Sequence, residues 1–232
     1  LVLAACSTAH TYPPTAPSTG KRTPPKEAEF HPGQLLKSDA DAAAEVHLQE
    51  SLASARLLME KLYRRNPREL RKSGFLTVEA AVERGFDPRY GFRLPELKDV
   101  HGTAAIQLAL KSEYTGDRVF AFSVGLAGMI VQAYGDKTEI YLTDTLDAQK
   151  LYNAARNVEI AAWKLANARD AAGQPFLLSN EVAGDVRNLS FEREFGKLIA
   201  YQDAMAGVTA QRTNRVIRRV TQGVATLVFL PI

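Results

Sequence analysis

From Ser38 onward the chain alternates apolar and polar positions with helical spacing. Val46, Leu48, Leu52, Ala55, Met59 and Leu62 recur at threes and fours up to Asn66, and Ser38-Asp39-Ala40-Asp41 places capping oxygens and negative charge ahead of them. A first helix of about 27 residues is predicted. Asn66-Pro67-Arg68-Glu69 then gives an N-cap, a proline at the first helical position and an acid at the third, which predicts a short helix through Lys72. Thr77 to Arg84 predicts another, with Gly85 placed to end it. Between Asp87 and Val100, Pro88, Gly91 and Pro95 stand among aromatics, so an ordered loop packed on the body is expected.

A short helix over Thr103 to Lys111 leads to Asp117, which can cap the most apolar stretch, Val119 to Val131. Those thirteen residues fall short of the roughly 20 that a hydrocarbon core requires, and Gln132 to Asp136 turns polar at once. A buried central helix is therefore expected ahead of a membrane-inserting hairpin, with Ala121, Gly125 and Gly128 letting neighbours approach closely. Thr138 to Leu142 fits a short strand or a helical turn. After Thr145 comes a long amphipathic helix to about Asp170, whose seam Leu151, Ala155, Val158, Ala162, Leu165 steps by four and three. Its polar side carries Tyr152, Asn153, Arg156, Asn157, Glu159 and Lys164, and Trp163 either caps the core, which is the reading preferred, or anchors an interface. Gly173 to Arg187 is a loop. Ser190 caps a last helix bearing Phe191, Phe195, Leu198, Met205, Val216, Val220 and Leu227, which would run about 55 Å if unbroken to Val228, unless Gly207 or Gly223 kinks it. The fold class expected is all-α: an irregular helical bundle with two or three long helices around a buried apolar helix, over residues 37–232.

Composition adds a boundary. With 46% apolar and 24% charged residues the chain can bury a core, and a net charge of +3 gives no case for nucleic acid as a partner. Residues 7–32 differ from the rest: they are rich in Ser, Thr and Ala and hold six of the 11 prolines. Such a stretch keeps neither helix nor sheet. Residues 6–36 are expected to be a disordered tether, spanning about 90 Å if polyproline II and about 30 Å as a flexible coil.

Ahead of the tether, Leu1-Val2-Leu3-Ala4-Ala5 runs apolar then small and ends at Cys6, the single cysteine of the chain. A lone cysteine excludes an intrachain disulfide and any multi-cysteine metal site. Leu3-Ala4-Ala5-Cys6 resembles the lipobox of bacterial lipoproteins. The resemblance covers four residues and implies a diacylglyceryl thioether on Cys6, cleavage just before it, and acylation of the new amine. Residues 1–5 would then be the end of a signal peptide. Acyl chains at Cys6 would hold the protein at a membrane, since each buried methylene contributes about 0.8 kcal/mol. Ser7, standing where an Asp would retain enteric lipoproteins at the inner membrane, favours an outer-membrane location facing the periplasm.

Candidate chemistry in the body is sparse. His10, His31, His47 and His101 are scattered, and neither His-Glu-x-x-His nor Glu-x-x-His occurs. There is no Gly-x-Ser-x-Gly and no phosphate-binding Gly-x-x-x-x-Gly-Lys. No cofactor or metal is expected. Two basic clusters stand out: Lys61, Arg64, Arg65, Arg68, Arg71 and Lys72 around the end of the first helix, and Arg212, Arg215 and Arg219 on one face of the last, with Arg218 beside them. Each is either a solvated face or a docking site for an anionic partner such as lipid head groups, lipopolysaccharide or an acidic protein. The leading functional expectation is a membrane-anchored envelope lipoprotein that is non-enzymatic and contacts an envelope protein through its helical body. The alternatives are an enzyme directed at cell-wall or lipid material, with its site beside the Asp87 to Val100 loop, and a carrier of an apolar ligand beside the Val119 to Val131 helix.

Overall fold

The computed structural model describes residues 38–141, 144–181, 188–218 and 228–232. Cys6 and the tether, Leu142, Arg219, Val220, Gly223 and Leu227 lie outside the described residues. The chain divides into two units, 1–34 and 35–232, and everything described belongs to the second. That unit is an all-α bundle. In order it contains α1 (Asp39–Arg65), α2 (Pro67–Ser73), α3 (Val78–Gly85), α4 (Gly102–Ala109), α5 (Arg118–Ala133), α6 (Ala148–Asn167) and α7 (Ser190–Thr213), with 3-10 turns at Pro88–Tyr90 and Pro95–Leu97.

The entry to α1 is a capping box. The Ser38 hydroxyl accepts from the Asp41 amide, and the Asp41 carboxylate accepts from the Ser38 amide at 2.9 Å and the Ser38 hydroxyl at 2.6 Å. Arg212 of α7 donates to the other Asp41 oxygen at 2.6 Å. Burial pushes the Asp41 carboxyl up, but Ser38 and Arg212 outweigh it and hold the group below its ordinary value. The two ends of α1 are fixed to opposite ends of α7, because Lys61 donates to the Ser190 carbonyl at 2.9 Å.

Helix α5 is the buried centre: of its 16 residues every one but Gln132 is buried. At about 1.5 Å per residue it is about 24 Å long, and α1, α4 and α6 pack around it. No described helix is long and apolar enough to cross a membrane. Asp117 caps α5, its Oδ1 accepting from the Phe120 amide at 2.9 Å. Gly125 permits the tightest crossing, since a Cβ there would lie 2.8 Å from both the Gly102 carbonyl oxygen and the Ile106 nitrogen of α4. On α6, the seam residues Leu151, Ala155, Val158 and Leu165 are buried, and Ala162 is half-buried. Residues 138–141 form neither strand nor helix; Ile140 is buried and its amide donates to Glu45 at 2.7 Å.

Four expectations are corrected. Helix α7 stops at Thr213, where Asn214 takes a left-handed φ of 51° and the helix ends in a C-cap. Arg215 and Val216 therefore leave the helical face, and Val216 is 92% exposed. Ser190 does not cap α7: it is the first helical residue, and its amide donates to the Asn188 side chain at 3.1 Å. Asn66 does not cap α2 with its side chain. That amide faces across the fold, donating to the Leu62 and Leu178 carbonyls and accepting from the Leu178 amide at 2.8 Å. Trp163 is 42% exposed rather than closing the core, since Ala162 and Leu165 fill the seam beside it.

The polar side of α6 holds residues 228–232. Asn157, fully buried, donates to the Leu230 carbonyl at 2.9 Å and accepts from the Leu230 amide at 2.7 Å, while Asn153 donates to the Pro231 carbonyl at 2.9 Å. A side-chain amide here exchanges both bonds with a backbone amide, as a neighbouring strand would. Asn157→Ala is expected to cost about 1–3 kcal/mol, because it leaves a backbone donor and acceptor without partners. It is also expected to open residues 228–232 to proteolysis; urea denaturation and limited digestion followed by mass spectrometry check both.

Candidate functional site

Three regions combine charge with concavity. The first contains the basic cluster around the end of α1, and its members divide into two kinds. Lys61, Arg65, Arg68 and Lys72 tie the body together: Arg65 pairs with Glu181 at 2.8 Å, Arg68 donates to the Phe176 carbonyl at 2.7 Å, and Lys72 pairs with Glu69 at 2.8 Å. The Arg65 and Arg68 bonds clamp residues 175–181 onto α1 and α2, while the Lys72–Glu69 pair lies within α2. Arg64 and Arg71 are exposed and make no ion pair among the described residues. Beside them lies a shallow cavity of about 360 Å³ between Arg65, Arg68, Arg71, Pro175 and Leu178. The second expected cluster is not brought together. Arg212 pairs with Asp41 on α1, Arg215 lies past the helix end, the Arg218 amide donates to Gln149 at 2.8 Å, and Arg219 lies outside the described residues.

The second region is a buried polar network under α5. Glu69, fully buried, accepts from the Arg118 amide at 2.9 Å, which turns the acid of the α2 start signal into a partner for the first residue of α5. Arg118 reaches back to the carbonyls of Ala109 and Lys111 at 2.6 and 2.7 Å. The Tyr63 hydroxyl donates to Asp117 Oδ2 at 2.6 Å. Burial raises the Asp117 carboxyl to about 6 against the opposing pull of its hydrogen bonds, and Glu69 nearby pushes the same way. Burial and the Asp117 charge raise the Tyr63 hydroxyl as well. Asp117 borders a cavity of about 300 Å³ with Lys72, Glu96 and Tyr114. A carboxyl near 6 can exchange a proton at neutral pH, but both its oxygens are engaged in holding α5, one on the Phe120 amide and one on Tyr63.

The third region is a groove of about 530 Å³ where α1, the 86–93 segment and the end of α5 meet. Leu52, Phe86, Phe92 and Val131 give it an apolar floor, with Phe86 and Phe92 edge to face at 5.5 Å. Phe92 is buried and left-handed, with φ 61° directly after Gly91 at φ 51°. Such backbone is costly for a residue with a side chain, and packing against α5 holds it: a Cβ on Gly128 would lie 3.0 Å from Phe92 Cβ. Two arginines line the groove. Arg93 bonds the His101 ring at 2.8 Å, a ring oriented in turn by the Asp99 carbonyl at 2.8 Å, and it stands 3.8 Å from Asp136. Arg56, half-buried on α1, has its guanidinium 5.9 Å from the Phe86 ring centroid and no carboxylate partner among the described residues.

The sequence pointed to a site beside the Asp87 to Val100 loop, which lines this groove, but singled out neither Arg56 nor Arg93. One signal for them was present: Arg56 interrupts the stripe Leu52, Ala55, Met59, placing a cation at the edge of an otherwise apolar face. Nothing local marks Phe92 as left-handed. No group of three His, Cys, Asp or Glu residues able to hold a metal ion occurs among the described residues. The sequence matches no family model, and neither a curated protein nor a solved structure matches it significantly.

Proposed function

We propose that this chain is a lipid-anchored component of a bacterial cell envelope, held at Cys6 with the body facing the periplasm, and that the body works by binding an envelope protein rather than by catalysis. The observation that carries the reading is the order of parts along the chain: Leu3-Ala4-Ala5-Cys6, a proline-rich stretch to residue 36, and a helical body that opens sharply at the Ser38 capping box. Ser7 after the cysteine supports the outer membrane as the site of attachment. For the partner face, Arg64 and Arg71 are the exposed members of the basic cluster that make no ion pair among the described residues, and Leu178, 45% exposed, adds an apolar contact beside Arg71. Arginine next to an exposed aliphatic residue suits an acidic protein surface.

Fractionation of bacteria expressing the full chain tests the anchor. The wild type is expected to sediment with membranes and to be released by detergent, whereas Cys6→Ser is expected in the soluble fraction. A Cys6→Ser chain that still sediments with membranes overturns the reading. Cross-linking in intact cells tests the partner: a product that persists unchanged in an Arg64→Gln/Arg71→Gln variant removes that face from consideration.

A further inference from the structure

The groove between α1 and the 86–93 segment has an apolar floor and an excess of positive charge at its edge, and this combination names a ligand class. Arg93 is shared between His101 and a distant, exposed Asp136, a weak pairing in water. Arg56 is half out of water with only an aromatic ring beside it. A guanidinium without an anion lacks the bidentate, charge-assisted partner that its planar fork matches, and a carboxylate in the groove would supply one. The floor beneath is built from Leu52, Phe86, Phe92 and Val131, and the segment that carries it is held in an unfavourable backbone state at Phe92. A volume of about 530 Å³ lies within the range of small-molecule sites.

The geometry points to a free long-chain fatty acid as the occupant, its acyl chain along the Phe86–Phe92 floor and its carboxylate accepting from the Arg56 and Arg93 guanidinium groups. Neither half of that ligand suffices alone. A neutral chain leaves Arg56 without an anion, and a small anion leaves the aromatic floor in water. A carboxylate on a guanidinium forms the charge-assisted bonds that the exposed Asp136 supplies to Arg93 only at long range. The inference rests on the reading of the body as a binding module and is independent of Cys6.

The test uses the full-length Cys6→Ser chain, so that membrane attachment and ligand binding are read separately. Calorimetric titration with saturated fatty acids below the concentration at which they form micelles is expected to give one saturable site. Affinity should rise about fourfold per added methylene until the groove is full, then level off. Arg56→Gln is expected to weaken dodecanoate about tenfold and dodecanol less than twofold, because only the acid uses the charge. Ala53→Trp, at an exposed position on the α1 wall, fills the groove without disturbing the core and should abolish binding of both.

Four results overturn the proposal: no saturable binding of any fatty acid, an Arg56→Gln chain that binds dodecanoate as the wild type does, binding of a lysophospholipid but not of the free acid, or an Ala53→Trp change that abolishes self-association instead of ligand binding. The last would assign the groove to a second copy of the chain. Failure here with Cys6→Ser still released from membranes leaves the anchored reading standing, and the reverse outcome leaves the groove standing.

Discussion

Gly125→Ala is expected to destabilise the protein by about 3 kcal/mol or more, although alanine is the better helix former by about 1 kcal/mol. The reason is the backbone it would strike. A methyl group at 125 meets the Gly102 carbonyl oxygen and the Ile106 nitrogen at 2.8 Å and the Ala105 methyl at 2.9 Å. No side chain can rotate to make room, so α4 must move off α5. Gly128 is a useful control on the same helix. Its new methyl would meet Phe92 Cβ at 3.0 Å and backbone only at 3.7 Å, so helix propensity and crowding nearly cancel and a net change within about 1 kcal/mol is expected. Urea denaturation of both variants checks the pair. A Gly125→Ala protein as stable as the wild type would mean that α4 does not cross α5 at this distance.

Asp117 gives the second large effect, and its sign depends on pH. Its carboxyl is raised to about 6 in the folded protein against an ordinary value near 3.8, with burial the main cause. Above pH 6 the group is ionised in both states and the folded state carries the cost of burying the charge. As pH falls through 6 the folded state takes up a proton before the unfolded chain does. This contribution therefore grows as pH falls, is complete below 3.8, and is lost again as pH rises through 6. The full change is about 3 kcal/mol. Asp117→Asn keeps an oxygen to cap α5, removes the titration, and is expected to flatten the pH dependence between 7.5 and 5. Asp117→Ala removes the cap and leaves the buried Tyr63 hydroxyl unpaired, at a cost of about 3 kcal/mol. Denaturation curves at pH 7.5 and 5.0 separate the three proteins. Equal pH dependence in wild type and Asp117→Asn would show that some other group titrates. Asp41 works in the opposite direction: its carboxyl is held low by Ser38 and Arg212, so its contribution is present above pH 3.8 and lost below it.

What local chemistry determines was legible in the sequence. Ser38 with Asp41, and Asp117, cap the helices their positions announce, because a side-chain oxygen and an orphan amide three residues on are set by spacing alone; Thr77, read as a first helical residue, caps α3 in the same way. The buried α5 and the seam of α6 were legible from hydrophobic period. The errors came where a distant segment competed for the same atoms. Asn66 has the composition of a cap, but its amide matches the Leu178 backbone 112 residues away and is used there. Glu69 looks like an ordinary first-turn acid until Arg118 approaches it. The end of α7 depends on Asn214 adopting a left-handed turn, which asparagine tolerates but does not announce. The groove draws on α1, on residues 86–93 and on the end of α5, and no window of the chain contains all three.

Whether the single cysteine carries lipid decides where the whole molecule works. Intact-mass and N-terminal fragment spectra of the protein recovered from the organism that makes it address this. Anchoring requires a chain beginning at Cys6, with a diacylglyceryl group in thioether linkage and an acylated amine. A free thiol at Cys6, or residues 1–5 still attached ahead of it, contradicts an anchored protein.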